Sequence, residues 1–454
     1  MYCFDFRSDW SFRRKVQPSL GSIRDFETQT FDARLDQIGK RAGRPLTAIE
    51  TDFAWLALAI YAADRFASRH PFGIDGTSFW RRRIHVRVPM RERQLWLSVE
   101  PKLIRALELL TEDDWTFDFS VERARFSIEN QEYFRGFSRP DVQWASLFSG
   151  GLDSLAGALH WIMQTGGRGL LVSGHTHNRM RVAQELLVEQ LSADFPDSVD
   201  HLGVYYGFPD KQEVSGIESS QRTRAFVHVC LGALAALTSG GTRLFLFENG
   251  VGAFNLSCDS AQIGSQNSQG THPVFLSRME DYVSGVFKRP FTIENPFAFT
   301  TKGQMLALPG LAGHQALLHR SFSCDRFPNY PHRAPQCGHC PSCLIRRLAF
   351  HASGLTDPGD GYSTDVRDPS RPLRDSDSLA IMKLSIQADT LANALAASHP
   401  WEALCATWPA LFSAELEIKS PQFSDHVRAL LQRHVAEWRS FSETITTGFM
   451  AAAA

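Results

Sequence analysis

The chain has no excess of charge of either sign. Lys and Arg total 47 against 49 Asp and Glu, a formal net charge of −2 at pH 7. Bulk electrostatics therefore gives no argument for an anionic partner, and direct nucleic-acid binding is not expected. Long hydrophobic runs are missing too. The longest, Phe53 to Ala63, is about half of the roughly 20 residues a bilayer requires and reads as a buried helix. The opening Met1-Tyr2-Cys3-Phe4-Asp5 shows no basic start followed by an apolar stretch and a small-residue cleavage site. A cytoplasmic location without a membrane partner is the expectation. No internal repeat occurs, and low complexity is confined to Ala451–Ala454, which reads as an appended tail. No Gly-x4-Gly-Lys-Ser/Thr string occurs, which disfavours a γ-phosphate-cleaving loop of that type. What remains is a globular composition, 43% hydrophobic and 21% charged over 454 residues, enough for two or three domains at roughly 100–200 residues each.

Pattern divides the chain into units. Residues 1–140 read as an α+β extension, with a helix over Thr51–Arg69, a second near Leu103–Leu110, and strands at Ile84–Val88 and Trp115–Phe119. Residues 141–355 alternate short apolar runs (Trp144–Phe148, Leu170–Ser173, Leu202–Tyr206, Leu244–Phe247) with helical stretches, the rhythm of a parallel α/β sheet with helices on both faces. A polar connector follows over 356–378. The rest, 379–454, has helical period, and Pro400, Pro409 and Pro421 divide it into about three helices.

Trp144–Phe148 runs into Ser149-Gly150-Gly151-Leu152-Asp153-Ser154 and then a helix with Leu155, Leu159 and Ile162 on one face. A strand that feeds a glycine turn opening a helix aims free N–H groups and the positive end of the helix dipole at one point. Phosphate is the natural guest. Ser149 and Ser154 add hydroxyl donors, and Asp153 suits a magnesium ion or a loop amide; a plain capped glycine turn is the competing reading. The string resembles the PP-loop of the ATP pyrophosphatase superfamily, whose Ser-Gly-Gly-x-Asp-Ser signature residues 149–154 match throughout. That resemblance implies an adenine nucleotide α-hydrolase-like fold and ATP cleavage into AMP and pyrophosphate.

Cys324, Cys337, Cys340 and Cys343 are spaced C-x12-C-x2-C-x2-C, inside a lobe at 321–350. Four thiolates so spaced suit a tetrahedral zinc site, with an iron–sulfur cluster as the rival and His339 as a possible replacement ligand. Cys3, Cys230, Cys258 and Cys405 are scattered and read as packing residues.

The PP-loop together with Cys337-Gly338-x-Cys340-x2-Cys343-x2-Arg346 resembles QueC, the 7-cyano-7-deazaguanine synthase family. Between them lie Arg222-Thr223-Arg224, Glu248-Asn249-Gly250, Thr271-His272-Pro273 and Glu294-Asn295-Pro296, then Thr300-Thr301-Lys302. The resemblance implies adenylation of 7-carboxy-7-deazaguanine and its conversion through the amide to the nitrile. The added N- and C-terminal regions look like QatC, the QueC-like component of Qat anti-phage systems. That layout implies an ATP-dependent carbon–nitrogen ligase that passes the acyl group to the N-terminal amine of a QatB-like partner protein, with an ATPase and a TatD-like nuclease in the same system. An α-amine suits the role, because at pKa about 7.7–8.0 roughly a tenth of it is neutral at pH 7, far more than of a lysine. The alternatives are a queuosine-pathway nitrile synthase and a non-catalytic nucleotide-binding scaffold.

Within this frame Asp153 and Lys302 are the catalytic candidates, and Ser149, Gly150, Gly151, Leu152, Asp153 and Ser154 the ATP-binding set. Lys302, with Thr301, sits at a helix start, where a cation counters charge on departing pyrophosphate; a solvated lysine is the other reading. Arg222 and Arg224 are phosphate or carboxylate clamps or surface residues. Glu248 and Asn249 lie past a strand end, placed to read base or ribose or to form a cap or salt bridge. His272 is a base or a loop residue. Trp80-Arg81-Arg82-Arg83 with Arg87 and Arg91 is the only basic cluster, read as a partner contact or as the solvent face of a strand. ATP, Mg2+ and Zn2+ are the expected cofactors.

Overall fold

The computed structural model describes residues 1–7, 9, 11–16, 24–69, 81–121, 142–208, 218, 220–257, 269–329, 336–368 and 375–453. Trp80 and Cys258 lie outside these residues. The chain opens with β1 (Tyr2–Phe6), β2 (Ser11–Val16), β3 (Arg24–Thr30), β4 (Asp32–Ala33), α1 (Asp36–Ala42), α2 (Ala48–Phe66), β5 (Arg83–Met90), α3 (Arg93–Thr111) and β6 (Asp114–Val121). Five of these strands form one sheet in the order β3-β2-β1-β5-β6, antiparallel on the β3 side and parallel from β1 to β6.

A second sheet follows from β7 (Trp144–Leu147), α4 (Leu152–Thr165), β8 (Gly169–His175), α5 (Asn178–Asp194), β9 (Val199–Gly207), α6 (Arg224–Thr238), β10 (Arg243–Leu246), α7 (Gly250–Phe254), α8 (Pro273–Phe287) and β11 (Thr292–Glu294). Its order is β11-β10-β7-β8-β9-β4, parallel throughout except for β4, which pairs antiparallel with β9. The chain builds outward from β7 through β8 to β9 and only later returns to β7's other side with β10. β7 is thus a topological switch point, and the crevice beyond its C-terminal end is where open α/β sheets take ligands.

Helix α2 explains how the two sheets share a core. The Thr47–Glu50 capping box starts it, and Phe53, Leu56, Ile60 and their neighbours are buried on every side, as expected of a helix apolar all round. One hydrophobic cluster runs from Phe4, Phe12 and Val86 through α2 and α6 to Leu170, Val204 and Leu244. The opposite face of the second sheet packs on α4, α5, α9 (Lys302–Leu306), α10 (Gln315–His319) and α11 (Pro341–Ser353). Helices cover both faces of this parallel sheet, as the βαβ rhythm predicts.

The C-terminal run holds α12 (Asp375–Leu395), α13 (Pro400–Thr407), α14 (Ala414–Lys419) and α15 (Phe423–Ala453), with a 3-10 turn at Pro409–Leu411. The expectation of about three helices is therefore low by one. Pro400 and Pro409 sit at the first positions of the segments they were read as interrupting, where the missing N–H costs nothing. Among the described residues no helix is long and apolar enough to cross a membrane.

The basic cluster is neutralised in place. Arg83 and Arg87 face solvent beside Asp114 and Asp118. Arg82 departs from the strand-face reading: it is buried, 2.6 Å from both Asp64 and Asp113. Asp113 also holds Arg69 at 2.6 Å, and Asp64 accepts from the Thr223 hydroxyl at 2.8 Å. This buried ionic network ties the first sheet to the start of α6.

Candidate active site

The loop 149–154 leaves the end of β7 at the switch point. Gly150 has φ +80°, a conformation that side-chain-bearing residues rarely adopt. The loop is braced from within. The Ser149 hydroxyl accepts from the Gly151 N–H at 3.1 Å and lies 3.1 Å from the Ser154 hydroxyl, which donates to the Gly151 carbonyl at 3.0 Å. Gly151, the N-cap of α4, has no side chain with which to cap the helix, and first-turn amides without such a cap are donors that an anion can use.

Two elements outside the motif hold the loop from without. Gln184 of α5 is buried and donates through Nε2 to the Ser149 carbonyl at 3.2 Å. The Phe322 N–H donates to the Gly150 carbonyl at 2.9 Å. Sequence reading missed both. A single glutamine in an amphipathic helix and a phenylalanine's backbone amide carry no pattern.

Asp153 is the centre of the site. Its carboxylate lies 3.0 Å from Lys302 Nζ, with both side chains largely buried, and accepts from Asn249 Nδ2 at 2.7 Å and from the Asn249 N–H at 3.2 Å. Asn249 Nδ2 also lies 3.0 Å from Glu248 Oε1, and Asn249 caps α7 through the Gly252 N–H at 3.0 Å. Thr301 caps α9, which begins with Lys302, in a box with Gln304. Residues far apart in sequence, Asp153, Glu248, Asn249, Thr301 and Lys302, thus meet at the crevice. The reading of Lys302 as a solvated surface residue does not fit its burial.

The electrostatics of this cluster are asymmetric. Burial opposes ionisation of Asp153, but the Lys302 charge and hydrogen bonds from Glu248 and Asn249 outweigh it and hold the carboxyl below its ordinary range. Burial likewise opposes the Lys302 charge, and Asp153 with Glu248 reverses that, raising the ammonium's pKa. Burial, and then the Asp153 charge, push Glu248 well above the usual carboxylate value. Of the two carboxyls, Glu248 is therefore the one whose environment favours keeping its proton.

That proton has a stability consequence. Above the ordinary Glu value of 4.5 the unfolded chain releases a proton that the folded chain retains, so Glu248 makes stability fall as pH rises toward its folded pKa. Glu248→Gln mimics the neutral form. Its unfolding free energy is expected to match the parent at pH 4 and to exceed it at pH 8, in denaturant titrations at both values. A parent advantage at pH 8 would mean that Glu248 is ionised in the folded chain.

The other candidates lie elsewhere. Arg222 is buried against the Thr111 carbonyl at 3.3 Å and Glu112 at 3.5 Å, and Arg224 is an exposed residue at the start of α6. His272 caps α8, its Nδ1 accepting from the Val274 N–H at 3.3 Å, and meets Phe254 edge-on. Burial lowers its pKa to about 4, so it is neutral at pH 7.

The four cysteines of the lobe are brought together. Cys337 and Cys343 Sγ are 3.8 Å apart, Cys340 and Cys324 Sγ 4.0 Å, and all four sulfurs lie within 4.8 Å of one another. A tetrahedral ion with metal–sulfur bonds of about 2.3 Å needs edges of about 3.8 Å. The spacing fits one zinc-sized ion, whereas a cluster of several irons with bridging sulfides spreads its cysteine ligands farther. Cys3, Cys230 and Cys405 are free and apart from it. Arg346, one turn past Cys343, is buried and donates to the Ser321 hydroxyl at 2.6 Å and the Leu318 carbonyl at 3.0 Å. The lobe is thereby fastened to the segment carrying Phe322.

A family profile described as "Queuosine biosynthesis protein QueC" matches residues 263–354. The chain is 35% identical over 86 residues to the 7-cyano-7-deazaguanine synthase of Marinobacter nauticus, which is 19% of this chain and 36% of that protein. It is 27% identical over 226 residues to the 7-cyano-7-deazaguanine synthase of Chromohalobacter salexigens, 47% of this chain and 83% of that one. The first match therefore spans little more than a third of its relative's length. These matches make the chain QueC-like over the residues they cover, the cysteine lobe among them.

Proposed function

We propose that the chain is a PP-loop ATP-dependent carbon–nitrogen ligase that adenylates 7-carboxy-7-deazaguanine, or a close analogue, and passes the acyl group to the N-terminal amine of a partner protein. The single observation that carries this is the meeting of Lys302, Asp153, Glu248 and Asn249 beside the open amides of α4. In the first step a carboxylate oxygen of the acid attacks the α-phosphorus of ATP and the bond to pyrophosphate breaks. Residues 149–154 hold the phosphates, and Lys302 counters the charge on the leaving group. In the second step the neutral amine attacks the acyl carbon, the bond to AMP breaks, and the nitrogen's surplus proton passes to solvent.

Asp153 and Glu248 offer adjacent hard oxygen donors, the set that holds magnesium together with substrate phosphates. A magnesium ion there would neutralise phosphate charge. Because burial and the Asp153 charge favour the proton on Glu248, the ion would compete with that proton and its affinity would fall as pH falls. The four cysteines would hold zinc in a structural role.

The unit at 141–355 would do this chemistry, with 1–140, 379–454 and the linking 356–378 available to shape an acceptor groove. A cytoplasmic anti-phage system, with a QatB-like acceptor and an ATPase and TatD-like nuclease beside it, is the setting this layout supports. A second reading is favoured by the names of the two relatives: ammonia as acceptor and a further ATP to dehydrate the amide to 7-cyano-7-deazaguanine. The experiment supplies the chain with Mg-ATP, the acid, ammonia and the candidate acceptor, and records intact protein masses together with the small-molecule product. A partner heavier by the deazaguanine acyl group supports the ligase reading; free nitrile supports the second. Absence of acid-dependent pyrophosphate–ATP exchange defeats both.

A further inference from the structure

We infer that Glu437, on the C-terminal helix α15, is a positioning residue for Lys302, and that α15 braces both loops that converge on Asp153. The inference rests on the reading of Asp153 and Lys302 as the phosphate site, and it concerns residues beyond the 263–354 family match.

Helix α9 spans only Lys302–Leu306. A helix of that length has no stability of its own, so contacts from outside must set the direction of its first residue. Thr301 supplies the anchor. Its hydroxyl accepts from the Gln304 N–H at 3.1 Å and donates to Glu437 Oε1 at 2.6 Å, while the Thr301 N–H donates to Gln304 Oε1 at 3.0 Å. The cap that aims Lys302 at Asp153 is therefore itself held from α15. The approach is close: a Cβ on Gly303 would stand 3.0 Å from Glu437 Oε1 and 2.7 Å from the Ala352 side chain.

The same face of α15 reaches the second loop. Leu430 precedes Glu437 by about two helical turns, and a Cβ on Gly250 would fall 2.6 Å from Leu430 Cδ2 and 2.3 Å from the Ala298 carbonyl oxygen. Gly250 follows Asn249, the partner of Asp153, and its N–H donates to the Thr300 carbonyl at 2.8 Å. One helix face thus spans both the Asn249 loop and the Thr300–Lys302 loop. Apolar packing alone would account for Leu430 but not for Glu437. Glu437 Oε2 is closed off from solvent and has no hydrogen-bond partner among the described residues. A carboxyl group seated there at a desolvation cost has its bond to Thr301 as the compensating interaction. Catalytic geometry is sensitive to displacements of about 1 Å, which can change rates by about a hundredfold, so a loosened α9 is felt at the phosphates.

The test uses the full chain with Glu437→Ala and Glu437→Gln. Mg-ATP affinity is measured by calorimetry, and amide hydrogen exchange over residues 302–306 is measured without nucleotide. Glu437→Ala is expected to weaken ATP binding about tenfold or more and to speed exchange of the Gln304 and Met305 amides. Glu437→Gln, whose amide carbonyl accepts the same bond from Thr301, is expected to stay within about threefold of the parent in both. Parent-like affinity and exchange in the alanine variant overturn the inference, as does a glutamine variant as impaired as alanine. A parent chain that binds no ATP defeats the reading of the phosphate site instead, and the exchange data then still decide whether Glu437 fixes α9.

Discussion

Asp153→Ala is expected to lower acid-dependent pyrophosphate release by about a thousandfold or more, in line with the loss of a preorganised charge at a reacting phosphate. The effect on folding is expected to be much smaller. Removing one member of a buried ion pair ordinarily costs about 3–5 kcal/mol, because the other charge is left unpaired. Here Glu248 stands beside Asp153, its pKa raised by burial and by the Asp153 charge. Once that charge is gone, the Glu248 pKa falls and its carboxylate can take over as counter-ion to Lys302. The variant should therefore unfold within about 2 kcal/mol of the parent at pH 8 while turning over almost nothing. Pyrophosphate release and urea titration measure the two quantities. A rate within tenfold of the parent would remove Asp153 from the chemistry. Protection against phage by a variant without turnover would favour the scaffold reading.

How much of this site was legible depends on how local its cause is. The turn at 149–154 was legible because adjacent glycines and hydroxyls between an apolar strand and a helical run mark a tight turn opening a helix, and the helix start at Lys302 because it follows a pair of threonines able to cap a helix. Their meeting was not. It follows from the strand order around β7, which brings the ends of β7 and β10 together and which no local pattern encodes. Gln184 and Glu437 act through one hydrogen bond each from helices whose period reports only their apolar face. The same limit hid β2 and β3, whose sequences Ser11–Val16 and Arg24–Thr30 carry several charges and alternate weakly, as suits strands near a sheet edge. Arg82 misled for the opposite reason: a run of three arginines reads as surface, and only the positions of Asp64 and Asp113 reveal a buried pair. The prolines of the C-terminal run were identified as breaks, yet a proline that ends one helix equally well begins the next.

Cys343→Ser, or removal of the metal by a strong chelator, is expected to unfold the lobe and, through it, to loosen the phosphate loop. A structural zinc in a small four-cysteine site contributes on the order of 10 kcal/mol to local folding, far more than the hydrophobic cluster there supplies. That cluster consists of the cysteines themselves with Tyr362, and with Phe327 packed on it. The route to the loop is short. Cys324 lies two residues beyond Phe322, whose N–H holds the Gly150 carbonyl, and Phe322 stacks on Phe327 at 4.6 Å. Arg346, on the helix that begins beside Cys340, secures Leu318 and Ser321 on the near side of that segment. Loss of the ion should free Phe322 and leave the Gly150 carbonyl without this donor. The parent is expected to carry one equivalent of zinc by elemental analysis, and the variant little or none. Limited proteolysis should then cut the variant between Cys324 and Cys343, and ATP affinity should fall about tenfold, the consequence of losing roughly one hydrogen bond to the loop. Full ATP affinity in a metal-free, protease-sensitive chain would show that the lobe and the loop act independently, and that Gln184 with the loop's own hydroxyl bonds suffices to keep Ser149–Gly150 in place.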